Sequence, residues 1–438
     1  MWYALVEQQR QWWRAWHAAA GYAYDAWPVA ISPDTAPPSY ADWFEPLLGL
    51  AAGRPPFAID SVTLDGHRYD VDEHIVAHTP FCDLRRFTRR STRAQARRAV
   101  LLCAPLAGHA AVMVRETVEA LLADGDVYLT DWADARDVPL AAGRFGLDEY
   151  VTLLDGFVDT LARDGRPLHA VAVCQSTVPA LGALALRAQR RLAPAASITL
   201  IGGPLDARRN PGTLGIAART HSLDWCRRHL VDVVPAGFAG CGRHVFPAWL
   251  QQAEIAIVYP HRFLSLIERY AQATCRWDAD ALADARRALR EYVALIDMPA
   301  EYFLDTVDVV FQQARLANRT WRVDGADGTL VDPAALRDVV LLTVEGTRDA
   351  VTGAGQTHAA LEMCSGIAPG ARRRLDVDGC DHYGLFTGER WRNEVHPALQ
   401  AAFAAGEANR STRSSRSSGS GGSHRSSRHA ASTHVPST

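Results

Sequence analysis

The stretch His169-Ala-Val-Ala-Val-Cys-Gln-Ser-Thr-Val-Pro179 decides the fold. Residues 168–173 form a short apolar run that suits a buried parallel strand. From Thr177 to about Leu192 the chain turns Ala/Leu-rich and ends in Arg187, Arg190 and Arg191, which reads as a helix. Pro179 falls in the first turn, where its missing N–H costs no hydrogen bond. Cys174 stands at the join. A sharp strand-to-helix turn of this kind presents a nucleophile, and it needs small residues two before and two after. Ala172 and Ser176 meet that need, whereas Ser176 as nucleophile would put the β-branched Val178 at a crowded position. The spacing favours the thiol. The alternative, a buried structural Cys, is the commoner fate of a free thiol, but the strand–turn–helix setting argues against it.

Working outward, strand-like runs occur at 99–104, 127–130, 168–173, 197–201, 339–344 and 373–377, with helical patterns between them. Strands alternating with helices predict a mostly parallel sheet covered on both faces, the α/β-hydrolase fold. Short alternating runs at 57–87, with Asp65-Gly66 between two of them, predict antiparallel hairpins ahead of it. Residues 205–333 are rich in helical patterns and aromatics, among them Trp225, Phe246, Tyr259, Phe263, Trp277, Tyr292, Phe303 and Phe311. An insertion there, before the strand that should supply an acid, lies over the carboxyl ends of the sheet. It reads as a lid lining an apolar channel, or as a helical subdomain with its own core. The expected organisation is an N-terminal helical, aromatic segment (1–56), hydrolase halves at 57–204 and 334–406 flanking the 205–333 insertion, and a disordered tail (407–438).

With 438 residues, 48% hydrophobic and a net charge of -3, the chain can bury a large core. No apolar run reaches transmembrane length, and the N-terminus lacks a secretory signal pattern. The eight Cys are scattered without a C-x-x-C pair, which argues against a zinc site or a disulfide framework and fits a reducing cytoplasm. Residues 1–27 carry Trp2, Trp12, Trp13, Trp16 and Trp27; Trp2, Val6, Trp13 and Trp16 are near helical spacing. They form either an aromatic face for a polymer or lipid boundary or a helix packed on the body. Residues 28–56 read as an ordered connector. Seven Arg between Arg85 and Arg98 read as a solvated face more readily than as an anion contact, and no nucleic-acid motif accompanies them. The Ser/Arg/Gly/His-rich end cannot bury enough apolar area to offset its ordering entropy.

A thiol nucleophile needs an acid and then a base on later strand ends. After the run at 339–344 the chain reads Glu345-Gly-Thr-Arg-Asp349, which makes Asp349 the candidate acid, with Glu345 and Asp206 as rivals. After the last strand it reads Asp378-Gly-Cys-Asp-His382, which places His382 as the base. The oxyanion of acyl transfer needs N–H donors: that of Gln175, and that of Leu106 or Ala107 in the turn Pro105-Leu-Ala-Gly-His109. His109 either binds substrate or caps the next helix. A thioester acyl-enzyme would also be open to a second thiol, so coenzyme A is a candidate acyl acceptor beside water. No other cofactor and no metal is expected.

The blocks Cys103-Ala-Pro-Leu-Ala-Gly-His109, 127–136, Val173-Cys-Gln-Ser-Thr-Val-Pro179, Gly202-Gly-Pro-Leu-Asp-Ala-Arg208, Ala300-Glu-Tyr-Phe-Leu-Asp-Thr306, Val344-Glu-Gly, Gly353-Ala-Gly-Gln-Thr357 and His382-Tyr-Gly strongly resemble intracellular poly(3-hydroxybutyrate) depolymerases, from the first residues to about Phe403. The resemblance implies an α/β-hydrolase fold with a Cys nucleophile at Cys174, an acid at Asp349 and a His at His382. It implies amorphous polyester in cytoplasmic storage granules as substrate and partner; a homo-oligomer stays open. Ser176 stands where the family pattern has Pro, which bears on elbow rigidity, and Ala350 where a second acid often follows the first. A polyester synthase-like acyltransferase and a granule-associated protein with little turnover are the competing readings.

Overall fold

In a computed structural model, described over residues 2–25, 54–90, 98–276, 278–324 and 328–419, nine strands make one sheet. They are β1 (Ser61–Leu64), β2 (His67–His78), β3 (Cys82–Arg89), β4 (Ala99–Cys103), β5 (Asp126–Trp132), β6 (Leu168–Val173), β7 (Ser197–Ile201), β8 (Val340–Gly346) and β9 (Arg372–Val377). Their spatial order is β1-β2-β3-β5-β4-β6-β7-β8-β9. From β5 to β9 every pairing is parallel. These six strands are the ones the strand-like runs predict. Strands β4, β6 and β7 are buried along their whole length, because helices such as Leu147–Ala162 and Thr177–Gln189 cover the faces; hence no polar alternation.

The first three strands add an antiparallel edge. Asp65 and Gly66 both have positive φ (51° and 77°) and place Leu64 opposite His67, the two-residue hairpin their identities predict. The Arg cluster lies partly on this edge and is matched to acids: Arg85 to Glu73 and Asp131, Arg86 to Asp126, Arg98 to Glu407. Arg93 and Arg97 lie outside the described residues, as do Trp27, Trp277 and nearly all of the 28–56 connector.

Between β7 and β8 the chain inserts helices at Thr213–Thr220, Leu223–His229, Ala248–Val258, Pro260–Arg276 and Ala279–Val293, and a small antiparallel ribbon containing His244–Phe246 and Met298–Pro299. The last helix runs His396–Gly419, past the 407 boundary expected for the tail. It continues because Glu407 is gripped by Arg98 at 2.6 Å and faces His169, which anchors the turn. Residues 420–438 lie outside the described residues. Among the described residues no helix is long and apolar enough to cross a membrane.

The N-terminal helix, α1 (Trp2–Asp25), buries Tyr3 and Glu7 against the body and exposes Trp2, Leu5, Trp12 and Trp16. One side of this helix therefore packs on the body, and the other carries exposed aromatic side chains. The Tyr3 hydroxyl donates to Asp297 of the insertion, whose other oxygen accepts from Ala248 N–H at 2.7 Å. The Asp297 N–H in turn reaches Asp134, which follows β5. Burial, then the neighbouring Asp297 carboxylate, push Asp134 up to about 8, against the pull of Arg136; Asp297 is also raised, by burial. The folded chain therefore keeps a proton here that the unfolded chain sheds near pH 4, and stability from this pair falls as pH rises from about 4 to about 8. Asp134→Asn is expected to flatten that dependence: the drop in melting midpoint between about pH 6 and about pH 8.5 should be smaller than in wild type. An unchanged drop would place the titration elsewhere.

Candidate active site

Cys174 closes β6 with φ +56°, left-handed backbone that costs a non-glycine residue about 1–3 kcal/mol and persists only where the surroundings enforce it. Ser176 does so. Its buried hydroxyl accepts from Val173 N–H at 2.9 Å and lies 2.7 Å from Cys103 O and 2.8 Å from Val173 O, stitching the elbow to β4 and β6. The Ser that replaces the family's Pro thus stiffens the turn by hydrogen bonding. Gly203 passes so close that a Cβ there would fall 2.6 Å from Cys174 O. Ser176 does not line the neighbouring cavity; Cys174 does.

His382 follows β9, and its buried imidazole places Nδ1 2.7 Å from Asp349 Oδ2. The other carboxylate oxygen of Asp349 accepts from Val351 N–H (2.8 Å) and Thr352 N–H (2.9 Å), which fixes its rotamer. The Cys174 thiol lies near enough to the same imidazole to raise its pKa, and with Nδ1 taken by Asp349 the ring nitrogen left free is Nε2. Burial alone would lower the His382 pKa, but Asp349 and Cys174 together hold it well above the usual imidazole value. The structure therefore brings Cys174 and His382 to one cavity, from the ends of β6 and β9, with Asp349 from the end of β8 bonded to the imidazole. A thiol, an imidazole and a carboxylate so ordered can hold a thiolate–imidazolium pair in a fixed tautomer.

The two rival acids are elsewhere. Glu345 accepts from the N–H groups of Gly355, Thr357 and His358 and so shapes the loop after β8. Asp206 is bound to Arg208 and Arg209. Glu345, His358 and Asp376 cluster closely enough to offer an ion three ligand atoms. However, Glu345 is already satisfied by backbone N–H groups, and Asp376 by Arg374 at 2.7 Å.

Cys174 and His382 open onto a cavity of about 340 Å³. Its walls are mostly apolar: Leu214, Trp225, Phe246, Ile255, Met298, Phe303 and Phe311 of the insertion face Pro105, Met113 and Val351 of the hydrolase body. Gln175 lines it. Of the two donor candidates on the turn after β4, Ala107 lies on the wall, while Leu106 is buried and does not line it. His109 also lines the cavity and bonds the Tyr383 hydroxyl at 2.9 Å instead of capping a helix. Burial, aided by the charge of Arg262, drives His109 down to about 3, so it is neutral.

Three residues of the site are not among the candidate site residues the sequence offers. Tyr259, from the insertion, accepts from Ala350 N–H (2.8 Å) and His382 N–H (3.3 Å), tying the acid and base loops together. Gln251 accepts from Gly108 N–H at 2.7 Å. Tyr383 was foreshadowed only as the neighbour of His382.

Among curated proteins no sequence matches this chain. Solved structures share its outline: a monoacylglycerol lipase from Paleococcus ferrophilus (14% identity, 71% of this chain and 96% of that one, TM-score 0.41), the 2-hydroxy-6-oxo-6-phenylhexa-2,4-dienoate hydrolase of Rhodococcus sp. strain RHA1 (13%, 77% and 99%, 0.40) and a haloalkane dehalogenase variant from Bradyrhizobium elkanii (14%, 78% and 100%, 0.38). The model of the family described as PHB de-polymerase C-terminus matches residues 202–406, which run from the end of β7 through the insertion, Asp349 and His382. On an α/β-hydrolase fold, residues 202–406 of this chain therefore resemble the family described as PHB de-polymerase C-terminus.

Proposed function

We propose that this protein is an intracellular depolymerase that cleaves the ester bonds of poly(3-hydroxybutyrate) in cytoplasmic storage granules, with Cys174 as nucleophile. The observation that carries the reading is the Asp349–His382 hydrogen bond with Cys174 beside the imidazole on an apolar cavity, within a chain whose residues 202–406 match the depolymerase family model. His382 takes the Cys174 proton on Nε2, and the thiolate attacks an ester carbonyl. The N–H groups of Gln175 and Ala107 stabilise the oxyanion. The imidazolium returns its proton to the leaving hydroxyl, which leaves a thioester on Cys174. His382 then deprotonates the attacking water, the carbon–sulfur bond breaks, and the free acid departs. Asp349 holds the imidazole tautomer throughout. The apolar wall suits a polyester backbone with short alkyl side chains.

The test is product release from amorphous granules incubated with wild type or Cys174→Ala, each with and without added coenzyme A. Soluble 3-hydroxy acids or their oligomers are expected from wild type alone. A product that becomes a coenzyme A thioester would identify the thiol as acyl acceptor. Polymer growth from an acyl-coenzyme A would instead mark a synthase, and equal adsorption without product from either protein would mark a binding protein.

A further inference from the structure

We propose that Gln251 is a positioning residue for the oxyanion site: from the insertion, it holds the turn after β4 in the shape that presents Ala107. The proposal rests on the ester-hydrolase reading above. The start of that turn is fixed by the body of the fold. The Ala104 N–H donates to Thr130 Oγ1 (2.9 Å), and Ala104 O accepts from Trp132 Nε1 (2.9 Å). Its end is fixed by the insertion. Gly108 N–H donates to Gln251 Oε1 at 2.7 Å, His109 pairs with Leu295, and Ala110 N–H donates to Ala294 O at 2.6 Å. Ala107 lies between the two anchorages.

Gln251 is buried, and its amide has one orientation. Nε2 donates to Phe246 O (3.1 Å) and Ile296 O (3.0 Å), two acceptors that only an NH₂ group can face, so Oε1 must turn to Gly108. Gly108 itself sits at φ +83°, and a Cβ there would lie 3.3 Å from Ile255 Cδ1, one helical turn from Gln251. The turn therefore has a left-handed backbone at Gly108 that only glycine takes freely, and the anchor of its N–H is a side chain from another layer of the molecule. Without that acceptor a buried N–H is left unpaired, and the turn relaxes to find a partner. Placement of the insertion and readiness of the oxyanion site become one event.

The test compares wild type with Gln251→Met, which keeps length and apolar bulk, and with Gln251→Glu. Two rates are measured: hydrolysis of a soluble p-nitrophenyl ester, and alkylation of Cys174 by iodoacetamide. Alkylation displaces iodide at a saturated carbon and forms no oxyanion, so it reports the thiol–imidazole pair alone. Gln251→Met is expected to lose about 100-fold in kcat, the loss typical of one oxyanion donor, with KM little changed and alkylation near the wild-type rate. Gln251→Glu should recover relative to wild type as pH falls, because its neutral carboxyl again offers an acceptor to Gly108 and an O–H to a carbonyl. A wild-type kcat in Gln251→Met, or parallel loss of hydrolysis and alkylation, overturns the proposal. Wild-type hydrolysis that survives complete alkylation of Cys174 overturns the nucleophile assignment itself, and this proposal with it.

Discussion

Cys174→Ala is expected to lower kcat for ester hydrolysis by roughly a millionfold, the scale seen when a nucleophile is removed from a site whose members act as a unit. Alanine fits the elbow, since the crowded positions are those of Ala172 and Ser176, so the fold should survive and the loss should be chemical. No neighbour can take over. Ser176 is turned into the backbone at 2.7 Å from Cys103 O, and it does not reach the cavity. Steady-state release of p-nitrophenol, with the melting midpoint as the control on folding, checks this. Retention of even about a tenth of the activity would place the nucleophile elsewhere.

Asp349→Asn is expected to cost on the order of 10⁴-fold in kcat, by analogy with the equivalent change in a serine protease triad. The reason is specific to the hydrogen bonds here. Val351 and Thr352 direct their N–H groups at Oδ1 from 2.8 and 2.9 Å, so the Asn carbonyl must occupy that side. Its NH₂ then faces His382 Nδ1, which becomes an acceptor and leaves the proton on Nε2, the atom that should receive the thiol proton. The same change removes the leading charge that keeps His382 protonated against burial. Alkylation of Cys174 at neutral pH should therefore slow together with hydrolysis. Near-normal rates in Asp349→Asn would remove Asp349 from the mechanism. Glu345→Gln serves as the contrast: its carbonyl can still accept from Thr357 and His358 N–H, only the Gly355 N–H loses its acceptor, and turnover should be kept.

Much of this was legible because it is local. The elbow shows itself in two small residues flanking Cys174, and the hairpin in Asp65-Gly66. The central parallel strands show as apolar runs without alternation. Asp349 and His382 stand out because each follows a strand within a few residues. What stayed hidden depends on partners far away in the chain. Tyr3 bonds Asp297 across 294 positions and Gly108 bonds Gln251 across 143, and no period or motif marks either pair. That Ala107 and not Leu106 lines the cavity turns on the backbone path of the turn, which composition does not encode. The tail boundary misled for a similar reason. Low apolar content after 407 looks disordered, yet the Glu407–Arg98 pair holds the helix there.

The central claim is a covalent thioester on Cys174. Wild-type protein mixed with a 3-hydroxybutyrate ester, quenched in acid during turnover and digested, should yield the Cys174 peptide carrying one acyl group that hydroxylamine removes. An acyl group on a serine peptide, or turnover with no acylated peptide while Cys174 stays free, would contradict it.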